Sequence, residues 1–322
     1  MGVNLFFVLS GFLITRILLL EKDRIEEIGG HKCKSIFNFY LRRSLRIFPI
    51  YYLSIAILFL INLVPVRTFI FYLLTYSLNI KLSFGDAFSL KSENGFIHLW
   101  SLCVEEQFYL FFPFFIFFLP KQFLKIGFSF LIAFALATRF ILSRQSYFGI
   151  NALYVFTPAC LDAFIIGSVL AYLFLYERDF LTRIMSKEIL LYALILLFIT
   201  SIYFNSLVNT YTEGRTVMDR FLFSLCCFWI IAKAILNRFS GLMKLILENR
   251  VIIYLGKISY GLYLYHFYLI YLFKQFSKDE KLNGLIFEKG ILLLSLSVLI
   301  SSISWFLIER PIIKMKSKVY VN

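Results

Sequence analysis

Residues 291–308, ILLLSLSVLISSISWFLI, contain no charged side chain and are long enough to cross a bilayer as a helix. Residues 189–204, ILLYALILLFITSIYF, share this property. The chain has 322 residues and is 60% hydrophobic but only 16% charged, whereas soluble globular proteins are about a quarter charged. The sequence therefore predicts an all-α protein, folded as a bundle of transmembrane helices.

Further apolar segments alternate with short charged loops and bring the predicted number of spans to roughly nine. They are Val3–Leu20, Ile47–Val64, Gln107–Leu119, Ile126–Leu142, Cys160–Tyr176, Phe221–Leu236 and Val251–Phe273. Thr68–Ile80 is also apolar but short, and is a candidate re-entrant segment. No internal repeat and no Gly/Ser-rich linker divides the chain. Residues 1–322 are therefore predicted to form a single membrane domain.

The net charge of +14 follows a topological pattern. The segment after the first span is rich in Lys and Arg, whereas the longer segment that follows the second span, up to Leu99, holds only Arg67, Lys81 and Lys91. By the positive-inside rule the first segment is cytoplasmic and the second lies outside. Alternation then places Met1 outside and Asn322 inside. Because membrane topology explains most of the charge, nucleic acid is not a predicted partner.

Polar residues open one apolar helix in HLWSLCVEEQFYLFFP, residues 98–113. In a continuous helix His98, Glu105 and Tyr109 would each lie within about 20° of one common direction, with Ser101 flanking them. An imidazole, a carboxylate and a phenol on one stripe indicate a general acid/base site. The alternative is a helix N-terminus at which glutamate offsets the helix dipole.

A second polar group is the arginine cluster Arg42, Arg43 and Arg46 in FYLRRSLRIFPIYY, residues 39–52. These three side chains cover an arc of about 100° at the predicted cytoplasmic end of a span. Guanidinium groups bind phosphate bidentately, so the cluster could hold an anionic cofactor such as coenzyme A. The alternative is a topology anchor that reaches to lipid headgroups.

A third group lies in KISYGLYLYHFYLIY, residues 257–271, where Ser259, Tyr263 and His266 share one helix face. A histidine within a membrane helix indicates a functional site, although a packed, hydrogen-bonded histidine is the alternative. Asp162 is a weaker candidate of the same kind. Glu309 is expected to neutralise an arginine at the cytoplasmic side.

The sequence lacks the spacing of a metal site and of a serine-hydrolase elbow. The five cysteines show no metal-ligand spacing, and Ser10 in GVNLFFVLSG has neither the glycine spacing nor the strand context of a nucleophile elbow. No metal is predicted.

Five stretches together resemble the integral-membrane acyltransferase family 3, whose members acylate bacterial surface polysaccharides and related acceptors. The stretches are GVNLFFVLSGFLIT (2–15), FYLRRSLRIFP (39–49), HLWSLCVEEQFYLFFP (98–113), LGKISYGLYLYH (255–266) and FLIERP (306–311). They occur in the family's order and extend over nearly the whole chain.

The resemblance implies an O-acyltransferase of the bacterial cytoplasmic membrane with ten core helices and no tightly bound cofactor. The donor would be acyl-CoA, most simply acetyl-CoA, and the acceptor a hydroxyl of a cell-envelope glycan or lipid-linked sugar. Arg43 and Arg46, with Arg42 beside them, match the acyl-CoA motif Arg-x-x-Arg. Trp100, Ser101 and Glu105 match the motif Trp-Ser-Leu-x-Val-Glu and, with His98, are the expected catalytic residues. The expected substrate-binding residues are Asn4, Ser10, Tyr109, Ser259, Tyr263 and His266.

Two departures from the family pattern accompany this resemblance. Asn4 stands where the family usually has aspartate. The family's first helix, which carries an arginine and a catalytic histidine, is expected to be missing from these 322 residues, and transfer is expected to require it. Two other functions remain open: a transporter or flippase for a lipid-linked sugar, and an inactive remnant of the enzyme.

Overall fold

The structure, a computed structural model, describes residues 2–61, 64–84, 96–144, 152–207, 214–276 and 286–318. All regular secondary structure in these ranges is helical, which confirms the all-α class. The helices are α1 (Gly2–Ile28), α2 (Lys32–Leu60), α3 (Val64–Thr68), α4 (Ile70–Leu74), α5 (Leu78–Phe84), α6 (Trp100–Phe118), α7 (Leu124–Ser143), α8 (Ala152–Val155), α9 (Thr157–Tyr176), α10 (Arg178–Met185), α11 (Glu188–Leu207), α12 (Gly214–Ile235), α13 (Gly241–Leu247), α14 (Arg250–Lys257), α15 (Ser259–Phe276), α16 (Ile286–Ser304) and α17 (Arg310–Lys318).

Within the described ranges, six helical segments are long and apolar enough to cross a membrane. They are Gly2–Ile28, Lys32–Leu60, Ile97–Phe118, Lys121–Ser143, Ala152–Tyr176 and Gly290–Lys314. A seventh span results if α10 and the first part of α11, which are bent by 68° at their junction, cross together. These seven correspond to seven of the roughly nine predicted spans, and the multi-pass prediction is confirmed.

The two remaining predicted spans do not have this form. Val251–Phe273 is not one helix, because the chain breaks at Ile258 between α14 and α15. Phe221–Leu236 falls in α12, which is not among the described helices apolar enough to cross a membrane, because its described part carries Asp219, Arg220 and Lys233.

The candidate re-entrant segment Thr68–Ile80 is broken rather than continuous. The short helices α3, α4 and α5 share it, and Tyr76 between the last two has a positive φ of 51°. Such an interrupted segment cannot cross a bilayer as one helix. Whether it is re-entrant stays a prediction.

The chain divides into two compact units. The first comprises residues 1–36, 79–87 and 101–239, and the second comprises residues 37–78, 88–100 and 240–322. The prediction of one membrane domain stays a prediction.

The first unit is built on a close crossing of α1 and α9 at two glycines. A Cβ atom on Gly11 would lie 2.0 Å from the carbonyl oxygen of Phe164, and one on Gly167 would lie 2.0 Å from that of Val8. The two backbones therefore touch, as small residues allow in membrane helices. One turn further along, the hydroxyl of Thr15 donates to that of Ser168 at 2.7 Å.

Charged residues form the contacts of the first unit near the C-terminal end of α1. The ammonium group of Lys22, which is buried, donates to the carbonyls of Ile116, at 2.9 Å, and Leu119 at the end of α6. A cation at a helix C-terminus satisfies carbonyls that lack an intrahelical donor. Lys121 adds ion pairs to Asp23 at 2.5 Å and Glu26 at 2.6 Å. These contacts tie the end of α1 to the turn that connects α6 and α7.

In the second unit, α15 and α16 pack closely. A Cβ atom on Gly261 of α15 would lie 3.2 Å from the side chain of Ser301 in α16. The preceding helix α14 also contacts α16, since the hydroxyl of Tyr254 donates to that of Ser302 at 2.7 Å. After α16 the helix widens into a π-helical segment, Trp305–Glu309. Such segments are rare and often occur at functional sites.

Candidate active site

Glu105 is the centre of a buried polar group in the first unit. Its side chain is 4% exposed, and its Oε1 atom accepts hydrogen bonds from the hydroxyl of Ser10, at 2.7 Å, and from that of Tyr109. Tyr109 lies one turn after Glu105 in α6, whereas Ser10 comes from α1, 95 positions earlier. The fold thus brings together three predicted residues, and two hydroxyl donors hold the carboxylate in one orientation.

His98 does not continue this stripe, contrary to the prediction. It lies in a single 3₁₀ turn, Ile97–Leu99, and α6 begins only at Trp100, so the α-helical periodicity does not extend back to it. Its ring instead lies against α15 within the second unit. It stacks on Phe267 at a centroid distance of 4.7 Å and lies 5.4 Å from the ring of His266.

Hydrogen bonds to backbone carbonyls fix the tautomers of this histidine pair. His98 Nε2 bonds to the carbonyl of Leu264 at 3.3 Å, and His266 Nδ1 bonds to that of Leu262 at 2.9 Å. Because a carbonyl only accepts, each of these ring nitrogens is a donor. In a neutral His266, Nε2 therefore carries the lone pair and can accept a proton.

Of the three residues predicted to share one face of α15, only Tyr263 and His266 belong to the histidine group. Tyr263 donates its hydroxyl to the carbonyl of His98 at 2.6 Å and so belongs to the histidine pair. Ser259, the first residue of α15, is exposed and donates to the carbonyl of Gly256 at 2.9 Å. Among the contacts described, Tyr263 and His266 share one polar group, and Ser259 stabilises the start of the helix.

The arginine cluster lies in α2, within the second unit. Arg42 and Arg43 are partly buried, and Arg46, one turn further on, is exposed. Arg46 also interacts electrostatically with Glu309, the buried last residue of the π-helical segment. Among the described residues, no arginine lies within ion-pair distance of Glu309, and its neutralisation of an arginine stays a prediction.

The three remaining predicted site residues are Trp100, Ser101 and Asn4. Trp100 is the first residue of α6 and is partly buried, and Ser101 beside it is 1% exposed. Asn4 is buried in α1, where its amide donates to the hydroxyl of Ser224 at 3.3 Å and its carbonyl accepts from Arg220 at 3.4 Å. Asn4 therefore connects α1 to α12.

Sequence reasoning missed two buried arginines, Arg139 in α7 and Arg220 in α12. Arg139 is 1% exposed and forms an ion pair with Asp162 of α9, which is fully buried. The signal was present in both cases, because a charge inside an apolar segment requires a partner or a function. Asp162 alone was singled out from the sequence, without its cationic partner.

Comparison with known proteins adds a decisive observation. A family model described as an acyltransferase domain matches residues 1–310. The chain belongs to this acyltransferase family. The resemblance found in the sequence motifs is thereby confirmed, and the apolar helices make this acyltransferase-family protein a multi-pass membrane protein.

Two of the curated relatives are proteins of Staphylococcus aureus. A candidate O-acetyltransferase of strain COL is 29% identical over 335 residues, which cover 97% of this chain and 52% of the relative. The O-acetyltransferase OatA of strain NCTC 8325 is 28% identical over 353 residues, which cover 99% of this chain and 53% of OatA. The chain therefore spans about half the length of the curated relatives it matches. No solved structure gives a significant match.

Proposed function

We propose that this protein is a membrane O-acyltransferase of the bacterial cytoplasmic membrane. It transfers an acyl group, most simply acetyl, from acyl-CoA on the cytoplasmic side to a hydroxyl of a cell-envelope glycan or lipid-linked sugar. The observation that carries the proposal is the match of an acyltransferase family model to residues 1–310. The O-acetyltransferase names of the relatives support acetyl as the acyl group.

The chemistry of O-acyl transfer sets what the side chains must do. A hydroxyl oxygen attacks the thioester carbonyl, a C–O bond forms, the C–S bond breaks and coenzyme A leaves as a thiol. The hydroxyl proton needs an acceptor, and a well-placed acid/base group contributes about 10²–10⁴-fold to such a step. Glu105 is suited to this work because Ser10 and Tyr109 already fix the position of its carboxylate.

The histidine pair provides a second group with suitable chemistry. His266 Nε2 is an available proton acceptor in the neutral tautomer, and the contacts of His98 with Phe267 and Tyr263 hold the neighbouring ring in place. In the proposed enzyme, Trp100, Ser101 and Glu105 of the matched motif and His98 of the histidine pair are the catalytic residues. Tyr263, His266, Ser259, Asn4, Ser10 and Tyr109 contribute to substrate binding.

The arginine cluster is the proposed donor site. Coenzyme A carries several phosphate groups, and a guanidinium fork matches a phosphate in two parallel hydrogen bonds. Arg46 is the exposed member of the cluster and is therefore the first of the three to test.

The function is tested in membrane vesicles from cells that express the protein from its own gene. Labelled acetyl-CoA is supplied on the cytoplasmic face, and release of free coenzyme A thiol is measured together with label in envelope glycan. Both products should appear in proportion. Consumption of acetyl-CoA with no ester formed on a glycan would contradict the acceptor, and no consumption at all would contradict the enzyme.

One substitution tests the donor site. Arg46→Lys keeps the positive charge but loses the bidentate fork, so acyl-CoA should bind at least about tenfold more weakly. Binding to the purified protein is measured by calorimetry. The matched control is Arg24→Lys, the same change at an exposed arginine in the same predicted cytoplasmic segment. Equal binding of acyl-CoA by Arg46→Lys and wild type would indicate that the cluster is a topology anchor and not the donor site.

A further inference from the structure

Four buried polar side chains outside the Glu105 group come together in the first unit. Asn4, Arg139, Asp162 and Arg220 have exposed fractions of 5%, 1%, 0% and 7%. They come from α1, α7, α9 and α12, and each lies near the end of its helix that the charge-based topology places outside. Burial of charge is costly, so residues such as these need partners or a function.

The ion pair between Arg139 and Asp162 satisfies only one oxygen of the carboxylate. A terminal nitrogen of Arg139 contacts Asp162 Oδ1, and its Nε donates to the carbonyl of Ala159 at 2.5 Å. Asp162 Oδ2 is equally buried, but no donor in the described part of the chain reaches it. A buried carboxylate oxygen without a donor has lost its hydration and gained nothing in exchange. Oδ2 is therefore an open acceptor.

Arg220 adds a second positive charge to this cluster. Its guanidinium donates to the carbonyls of Leu153 and Tyr154, both at 3.0 Å, to Asn4 Oδ1 and to the thiol sulfur of Cys160, both at 3.4 Å. These acceptors carry no formal charge, and Arg220 also interacts electrostatically with Asp162. The cluster thus contains two cations and one anion.

This charge balance limits what can bind to the open oxygen. An ionised carboxylate only accepts hydrogen bonds, so the ligand atom must be a donor. Two nearby guanidinium groups repel ammonium and other cationic donors. An uncharged O–H group meets both conditions.

We propose that Asp162 Oδ2 accepts a hydrogen bond from a hydroxyl of the substrate that receives the acyl group. Arg139 orients the carboxylate, and Arg220 with Asn4 completes the polar site. The inference rests on the proposed function, since a hydroxyl is the group that an O-acyltransferase acylates. A buried water has the same O–H chemistry, so the test must separate a substrate hydroxyl from a water that only stabilises the fold.

The test replaces both members of the ion pair at once. Removing one partner would leave an unpaired buried charge and destabilise the protein, whereas replacement of both by apolar residues of similar size is often neutral or stabilising. In the double variant Arg139→Met with Asp162→Leu, acetyl transfer to glycan should fall by about 10- to 100-fold, the value of a hydrogen bond to a charged group. Acetyl-CoA binding should stay unchanged, because the arginine cluster of α2 is untouched.

The matched control is Thr15→Val with Ser168→Ala. It removes a buried polar pair between α1 and α9 of the same unit, but these two hydroxyls bond to each other at 2.7 Å. Its transfer rate should equal that of the wild type. Folding of each variant is checked by its elution profile and thermal unfolding in detergent.

A folded Arg139→Met, Asp162→Leu variant with wild-type transfer would overturn the proposal and leave Oδ2 to a water molecule. If that variant fails to fold, Arg139→Gln with Asp162→Asn keeps the polar shape without the charges and should show the same loss. Misfolding of both would assign the cluster to folding and equally overturn the proposal. A wild-type protein that consumes no acetyl-CoA contradicts instead the proposed function.

Discussion

At the scale of single residues, the position of Glu105 shows how a carboxylate is kept inside a membrane protein. Ionised groups near hydrocarbon persist when hydrogen bonds replace the lost water. Ser10 and Tyr109 provide two such bonds to one oxygen. They come from different helices, so the orientation of the carboxylate depends on the packing of α1 against α6.

Glu105→Gln should preserve this shape and remove the charge. Because the amide oxygen still accepts from Ser10 and Tyr109, we expect little change in thermal unfolding. Acetyl transfer should fall by about 10²–10⁴-fold, the typical value of one acid/base contribution. Transfer is measured as label in envelope glycan.

Glu106→Gln is the control for this substitution, because Glu106 is the adjacent carboxylate on another face of α6. It should retain most of the transfer activity. Equal losses in both variants would show that the negative charge of this helix end, rather than the site of Glu105, is what matters.

At the scale of helices, the crossing of α1 and α9 leaves no space for a side chain at Gly11 or Gly167. A methyl group on Gly11 or Gly167 would meet a carbonyl oxygen of the facing backbone, which cannot rotate away as a side chain can. The two helices would have to separate, with loss of the neighbouring bond between Thr15 and Ser168.

Gly11→Ala and Gly167→Ala should therefore each destabilise the protein by about 1–3 kcal/mol or more, as overpacking does. The measurement is the thermal unfolding midpoint in detergent. Gly256→Ala is the control, because no facing atom in the described part of the chain lies within 4 Å of the added Cβ, and alanine favours the helix. Unchanged midpoints for both α1 and α9 variants would contradict the close crossing.

Sequence periodicity identified most helices but not their interruptions. A run of apolar residues indicates the length of an apolar segment, but it does not show where the backbone leaves the α-helix, as it does at Ile258 and in the 3₁₀ turn of His98. The same limit applies to the candidate site. Glu105 and Tyr109 are one turn apart and could be paired from the sequence, but Ser10 is 95 positions away and could not.

At the scale of the whole molecule, the charged loops predict which side each helix end faces. A reporter fused after Lys34 should be active in the cytoplasm, and one inserted near Asp86 should be active outside, because basic residues concentrate in the first of these segments. Reporter activity is compared at matched expression. The reverse pattern would place the arginine cluster on the wrong face for cytoplasmic acyl-CoA.

The crossing of α1 and α9 also sets an order of events during synthesis. Thr15 and its partner Ser168 are 153 positions apart, so at about 5–20 residues per second the ribosome needs on the order of 10–30 seconds to deliver the second helix after the first. Throughout that interval Gly11 and Thr15 of α1 lack the helix against which they pack in the folded protein. During this interval we expect the nascent chain to be sensitive to quality-control proteolysis. A chaperone that covers α1 until α9 has been inserted should therefore raise the yield of folded protein.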